Sequence, residues 1–127
     1  MNDPAQPWLD SARRSLAAAE ALFDAGLWPN ACFEAQQCVE LILKAAIIHS
    51  GSLPPRVHGL VELAGHLAPE LREHVQDVLP AFHDLNTYYS STRYPDAMVG
   101  ELPEREEAQV AVAVARRVVQ AVRQTLS

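Results

Sequence analysis

The segment CVELILKAAII, residues 38–48, constrains the fold more than any other stretch, because a helix formed from it would be apolar on nearly every side. Such a helix is stable in water only when other elements surround it. Pro29 suits a first helical turn and Gly51 a helix end, so both bounds of this helix are marked. The sequence therefore predicts that residues 29–50 form the central helix of a bundle.

Helical spacing of apolar residues continues on both sides of this segment, and no stretch has the alternation or the hairpin turns of β-strands. Gly26 and Pro95 mark further helix ends. The predicted helices cover residues 5–25, 29–50, 59–67, 70–78 and 80–91, with a last helix beginning near residue 103. The predicted fold is all-α: an antiparallel four-helix up-and-down bundle with an additional short helix, formed by residues 1–127 as a single domain.

Composition narrows the environment and the class of partner. The formal net charge of −6 argues against non-specific binding of nucleic acid, which depends on a basic surface. No apolar run approaches the roughly 20 residues of a membrane span, and the N-terminus lacks the pattern of a signal peptide. Cys32 and Cys38 are six residues apart on one helix and point in different directions, so free thiols and a reducing cytoplasm are predicted.

The last helix contains the run VAVAVA, residues 110–115. These small apolar residues occupy the whole circumference of a helix. One face can pack in the core of a single chain, while the opposite apolar face must be buried against something else. The run therefore predicts self-association.

Neither a metal ion nor a cofactor is predicted. The five histidines lie at positions 49, 58, 66, 74 and 83, and no two of them are three or four apart, the spacing that places two ligands on one helix face. Gly51-Ser52 lacks the lysine and the glycine spacing of a phosphate-binding loop. We read that pair as a turn.

The central helix carries one polar stripe. Gln36, Glu40 and Lys44 follow one another at four-residue spacing, with the acid before the base. Lys44 is the only lysine of the chain and lies in its most apolar helix, where an unpaired ammonium group would be costly. Two interpretations are open: an ordinary ion pair at the rim of the bundle, or a cation that lines a cleft.

The segment SSTRYPDA, residues 90–97, follows the predicted helix 80–91. Arg93 can bond the last carbonyls of that helix, or it can bind phosphate with Asp96 holding its guanidinium group. Tyr89 and Tyr94 can stack on a base, or they can pack as ordinary amphipathic residues. His58 lies in the loop before the predicted helix 59–67. It either caps that helix or adds an imidazole to the site of Arg93.

The stretches 19–47, 58–60 and 84–97 together resemble the HEPN domain family, in the branch with an Arg-Tyr-Pro-Asp segment after the fourth helix. The resemblance extends from Trp8 to Leu126. It implies an α-helical bundle that is usually a homodimer and has links to RNA or nucleotides, in some members as a non-catalytic nucleotide-binding module. It also implies, in many members, metal-independent ribonuclease activity and a small nucleotidyltransferase partner encoded nearby.

Ribonuclease members of that family carry an arginine followed, after four to six residues, by a histidine. In this chain Met98, Val99 and Gly100 occupy those positions after Arg93, and no other arginine has a histidine at that spacing. Cleavage of RNA needs acid–base groups that an arginine does not supply. We therefore expect a non-catalytic nucleotide- or RNA-binding protein with Arg93, Tyr94, Asp96, Tyr89, Lys44 and His58 as site residues. The alternatives are a ribonuclease with a non-standard base and a module that only binds protein.

Overall fold

The computed structural model describes residues 3–91 and 102–126, and within these residues all regular secondary structure is helical. The helices are α1 (Gln6–Asp24), α2 (Trp28–His49), α3 (Leu60–Ala64), α4 (Pro69–His74), α5 (Phe82–Ser91) and α6 (Arg105–Leu126), and a 3₁₀ helix (Leu79–Ala81) precedes α5. The predicted all-α bundle is confirmed. No helix in the described part of the chain is both long and apolar enough to cross a membrane.

Helix α2 is the central element, as its sequence predicts. Thirteen of its 22 residues are buried, and it packs against α1, α3, α5 and α6. Ile42, Leu43 and Ile47 are almost completely inaccessible, as are Phe82 and Leu85 of α5. Burial of each such side chain stabilises the fold by about 1.5–3 kcal/mol. Since these side chains come from distant parts of the sequence, α2 joins the two halves of the chain.

Helix α6 packs on α2 and α1 through small side chains. Ala108, Ala111 and Ala115 recur at three- and four-residue spacing and are fully buried, which lets the helices approach closely. An ion pair then links the exposed side of this packing, with Arg116 Nη2 2.7 Å from Glu20 Oε2 of α1. The first and last long helices therefore lie side by side, with α2 behind them.

The apolar run in α6 is less exposed than its sequence suggested. Ala111, Val112, Val114 and Ala115 are buried within the single chain, whereas Ala113 is exposed and Val110 is 57% exposed. The surface left for a second copy at this run is therefore small. The homodimer stays a prediction.

The connection between α2 and α5 is broken more often than the sequence indicated. The helix expected over residues 59–67 ends at Ala64, and the one expected over 70–78 ends at His74. Pro80 lies in the 3₁₀ helix, because a proline cannot donate the bond that would extend an α-helix through it. The result is two short α-helices and one 3₁₀ turn between the long helices.

Gly26 ends α1 with φ of +78°, as predicted from its position after the apolar pattern. The Leu27 N–H donates to Leu22 O at 2.9 Å and the Gly26 N–H to Phe23 O at 3.0 Å, which is the Schellman arrangement. We expect Gly26→Ala to destabilise the protein by about 1–2 kcal/mol, because alanine is strained at positive φ. Thermal denaturation measures this loss. Gly59→Ala is the matched control, since Gly59 has φ of −70°, and a loss as large there would contradict the explanation.

Both cysteines are free, as predicted, and both are fully buried. Burial, together with a smaller contribution from Glu107 at Cys32 and from Glu20 at Cys38, raises the pKa of each thiol to about 12. We expect neither thiol of the folded protein to react with Ellman's reagent at about pH 8, because the thiolate is the reactive form. Both should react in denaturant, and prompt reaction of either thiol in the native protein would contradict this burial.

Candidate functional site

The carboxylate of Glu40 is the centre of a buried polar cluster. Its side chain is 8% exposed, and its Oε2 atom lies 3.0 Å from Lys44 Nζ and 2.9 Å from His58 Nδ1. Its other oxygen, Oε1, accepts a hydrogen bond of 3.3 Å from Gln36 Nε2. Two groups of its own helix and one group of a loop therefore converge on a single carboxylate.

The stripe on α2 explains why this cluster forms. Residues four apart lie above one another on a helix, so Gln36, Glu40 and Lys44 share one face. Gln37 Nε2 donates to Gln36 Oε1 at 2.7 Å, which extends the chain of hydrogen bonds by one residue. Within the described residues, every buried side-chain nitrogen and oxygen has a partner. The polar groups that α2 carries into the core are thus satisfied.

Lys44 is more enclosed than either interpretation of the sequence required. Its side chain is 11% exposed, so the pair with Glu40 is a buried one and lies away from the rim of the bundle. A buried ion pair needs hydrogen bonds to offset the loss of hydration, and Gln36 and His58 supply them. The Lys44 ammonium group therefore mainly stabilises the Glu40 carboxylate. Its contact with a ligand stays a prediction.

His58 joins the cluster from the loop between α2 and α3. Its side chain is 58% exposed, yet one ring nitrogen is fixed on Glu40. The carboxylate of an ion pair only accepts hydrogen bonds, so Nδ1 carries the proton and Nε2 is the ring nitrogen left for a ligand. A carboxylate that holds an imidazole in one tautomer and one orientation is an arrangement suited to binding or to proton transfer.

The ring of Tyr89 covers one face of His58. The ring centroids are 5.1 Å apart and the planes are inclined by 13°, so the two rings are stacked. Tyr89 belongs to α5, whereas His58 belongs to the loop before α3. The stack therefore fixes the loop against the helix that leads into the segment SSTRYPDA.

The loop is held to α5 by a second contact. Asn86 Oδ1 accepts a hydrogen bond of 3.1 Å from the Leu60 N–H, the first amide of α3. Gly59 occupies the N-cap position, and no side chain there bonds the helix. The interpretation of His58 as the cap of this helix is therefore wrong. Its ring bonds Glu40, and the side chain that accepts a bond from the first amide of α3 is that of Asn86.

Three of the six predicted site residues, Lys44, His58 and Tyr89, come together around Glu40. The sequence predicts Glu40 only as the partner of Lys44, whereas the structure places it at the centre of the cluster. Its four-residue spacing within an otherwise apolar helix was the available signal, since an acid buried there needs several donors. Arg93, Tyr94 and Asp96 lie outside the described residues and stay predictions.

The donor set at this site does not resemble a metal centre. Glu40 and His58 supply one oxygen and one nitrogen, and nowhere in residues 3–91 and 102–126 do three or more histidine, cysteine, aspartate or glutamate side chains cluster in a way that could hold a metal ion. The groups present are a stacked aromatic pair, an oriented imidazole and a buried ion pair. The stacked pair offers a face for a flat ring.

Comparison with known proteins places these observations in a family. The model of the HEPN domain matches residues 5–125 of the chain. A protein of Methanocaldococcus jannaschii, "Putative toxin MJ1304", is 27% identical over 103 residues, which cover 77% of this chain and 68% of that protein.

Two crystal structures have the same fold. TT1696 from Thermus thermophilus is 30% identical, with a TM-score of 0.87 over 98% of this chain and 100% of that chain. ST0689, an archaeal HEPN homologue, is 25% identical, with a TM-score of 0.77 over the full length of both chains. The likeness extends over the whole bundle, including the helices that carry Glu40 and Tyr89.

Proposed function

Since the chain belongs to the HEPN domain family, we propose that it is the toxin-like member of a toxin–antitoxin pair and binds a nucleotide or an RNA end without cleaving it. The similarity to "Putative toxin MJ1304" supports the first half of this proposal. The observation that carries ligand binding is the His58 ring, bonded to Glu40 and stacked on Tyr89. The proposed absence of cleavage rests on the missing histidine at positions 98–100 after Arg93.

The contacts around His58 suggest how a ligand is held. The exposed side of the His58–Tyr89 pair offers a flat surface on which a base can stack, a contact worth about 1–3 kcal/mol for each base. The His58 Nε2 atom can accept a hydrogen bond from a ribose hydroxyl, and in the protonated ring it can donate one to a phosphate. Arg93 follows Tyr89 by four residues in the sequence, and in this proposal its guanidinium group binds the phosphate while Asp96 holds it.

The partners that we propose for this protein rest on the same family membership. We propose a homodimer in the cytoplasm that pairs with a small nucleotidyltransferase as its antitoxin. In this proposal Tyr94 adds a second ring beside Arg93, and Lys44 keeps Glu40 in place beneath His58. A net charge of −6 fits a local site for one nucleotide or strand end better than a surface that binds long nucleic acid.

Isothermal titration calorimetry with ATP, GTP and a short RNA tests the binding site. We expect His58→Ala and Arg93→Ala each to weaken binding about tenfold or more, because each removes a charge-assisted or stacking contact. His66→Ala is the matched control, since His66 is also exposed but is not among the residues that bond Glu40. Equal binding by wild type and both site variants would overturn the assignment.

One observation favours a second candidate function, a ribonuclease with a non-standard base. A carboxylate that bonds Nδ1 of a histidine holds the other nitrogen ready to accept a proton, and Glu40 and His58 have this geometry at 2.9 Å. In this reading His58 Nε2 takes the proton of the ribose 2′-hydroxyl, whose oxygen attacks the phosphate and expels the 5′-oxygen, and that leaving oxygen takes a proton from water.

Induced expression followed by RNA electrophoresis separates the two functions. Binding without cleavage predicts intact RNA from both wild type and His58→Ala. The ribonuclease reading predicts RNA loss with wild type and none with His58→Ala. RNA loss that persists in His58→Ala but not in a control strain would contradict both the non-catalytic proposal and His58 as the base.

A further inference from the structure

A pocket apart from the Glu40 cluster lies where the first turns of α1 and the last turn of α6 meet α2. Its volume is about 190 Å³, and its lining residues are Gln6, Leu9, Arg13, Ile42, Arg123 and Leu126. Leu9 and Leu126 pack against the hydrophobic core, and Ile42 beneath them is fully buried. The base of the pocket is therefore aliphatic.

Two exposed arginines, Arg13 and Arg123, line the same pocket, and neither has a counter-charge among the described residues. Across residues 3–91 and 102–126, Arg13 and Arg123 make no hydrogen bond or ion pair, whereas Arg116 and Arg117 are both paired with carboxylates. The closest acid along α1, Asp10, accepts a bond from Gln6 Nε2 at 2.9 Å and lines the neighbouring groove instead. In a chain of net charge −6, two unpaired guanidinium groups at one pocket attract an anion.

The position of the pocket separates it from the cluster around Glu40. Ile42 and Lys44 are two residues apart on α2, which places their side chains on nearly opposite faces of the helix. The Lys44 face looks toward His58, while the Ile42 face looks toward α1 and α6. A ligand bound at one of these two faces of α2 therefore does not reach the other face.

We propose that this pocket binds a small organic anion with an oxyanion head and a short aliphatic body. Arg13 and Arg123 hold a carboxylate or phosphate head, since guanidinium groups match the geometry of both. Leu9, Ile42 and Leu126 take the aliphatic part. A volume below the usual range of about 300–1,000 Å³ for ligand pockets limits the body to a few carbon atoms.

Two-dimensional NMR titration of the full chain tests this site with four probes. Hexanoate and butyl phosphate carry a head and an aliphatic body, whereas acetate and inorganic phosphate carry only the head. We expect saturable shifts in the amides of residues 6–13 and 121–126 with at least one of the first two probes. Its head group then identifies the class of anion, and the matching probe without a body should bind about tenfold more weakly.

Arginine variants provide the control. Arg13→Gln and Arg123→Gln should each weaken binding about tenfold or more, because each removes a charge-assisted contact. Arg14→Gln should bind as wild type, since Arg14 is on the same helix but donates to Ser11 Oγ at 3.0 Å and lines the neighbouring groove. The proposal is overturned by the absence of saturable shifts with hexanoate and butyl phosphate, or by equal affinity in all three variants.

Discussion

Replacement of Glu40 by alanine is expected to lower the free energy of unfolding by about 3–5 kcal/mol, because Lys44 would keep a charge in the core without a partner. The Lys44 side chain is 11% exposed, too little for water to replace the carboxylate. The same change frees His58 Nδ1 and leaves the ring held only by its stack on Tyr89. Chemical denaturation in urea measures the loss of stability.

Two further variants make this result specific to a buried pair. Glu40→Leu combined with Lys44→Met should restore most of the stability or exceed wild type, since a well-packed apolar pair has no hydration to lose. Glu20→Ala breaks the Arg116 pair, whose side chains are 48% and 42% exposed, and should cost under about 1 kcal/mol. A Glu40→Ala loss no larger than that of Glu20→Ala would contradict the buried pair.

Replacement of Phe82 by alanine is expected to cost about 3–5 kcal/mol, through lost burial and the cavity that remains. Phe82 has the largest of the fully buried side chains and stands at the start of α5. Because α5 also carries Asn86 and Tyr89, a loose α5 would release the loop that presents His58. Thermal and urea denaturation both measure this change.

His83 provides the matched control for Phe82, since it is the next residue of α5 and is exposed. His83→Ala should change stability by less than about 0.5 kcal/mol, as surface substitutions usually do. Similar losses for Phe82→Ala and His83→Ala would indicate that Phe82 does not anchor the helix. Weaker nucleotide binding in Phe82→Ala alone, at a temperature where it is still folded, would link this packing to the site.

The long helices could be predicted because their signals are local. Apolar spacing, Pro29 and the two glycines at positions 26 and 51 mark where α1 and α2 begin and end, and both glycines have positive φ. The connection was harder, because residues 59–81 form short pieces held by contacts to other helices. The bond from the Leu60 N–H to Asn86, 26 residues away, leaves no mark on local periodicity.

The candidate site was half predictable for the same reason. The pair of Glu40 with Lys44 follows from four-residue spacing on one helix. The bond from His58 to Glu40 spans 18 residues and depends on how the loop closes over α2, which no spacing rule fixes. The pocket of Arg13 and Arg123 is formed by the first and last helices, so only the packed bundle brings these two arginines to one place.

That meeting of α1 and α6 bears on how the chain can be reconnected. Leu9 and Leu126 line one pocket, so a linker could join α6 to α1, and the chain could be opened at Leu53, which is 91% exposed. Contacts such as Arg116 with Glu20, now 96 residues apart, would become far more local. A circular permutant of this kind keeps every helix and should fold faster, because shorter loops close during folding.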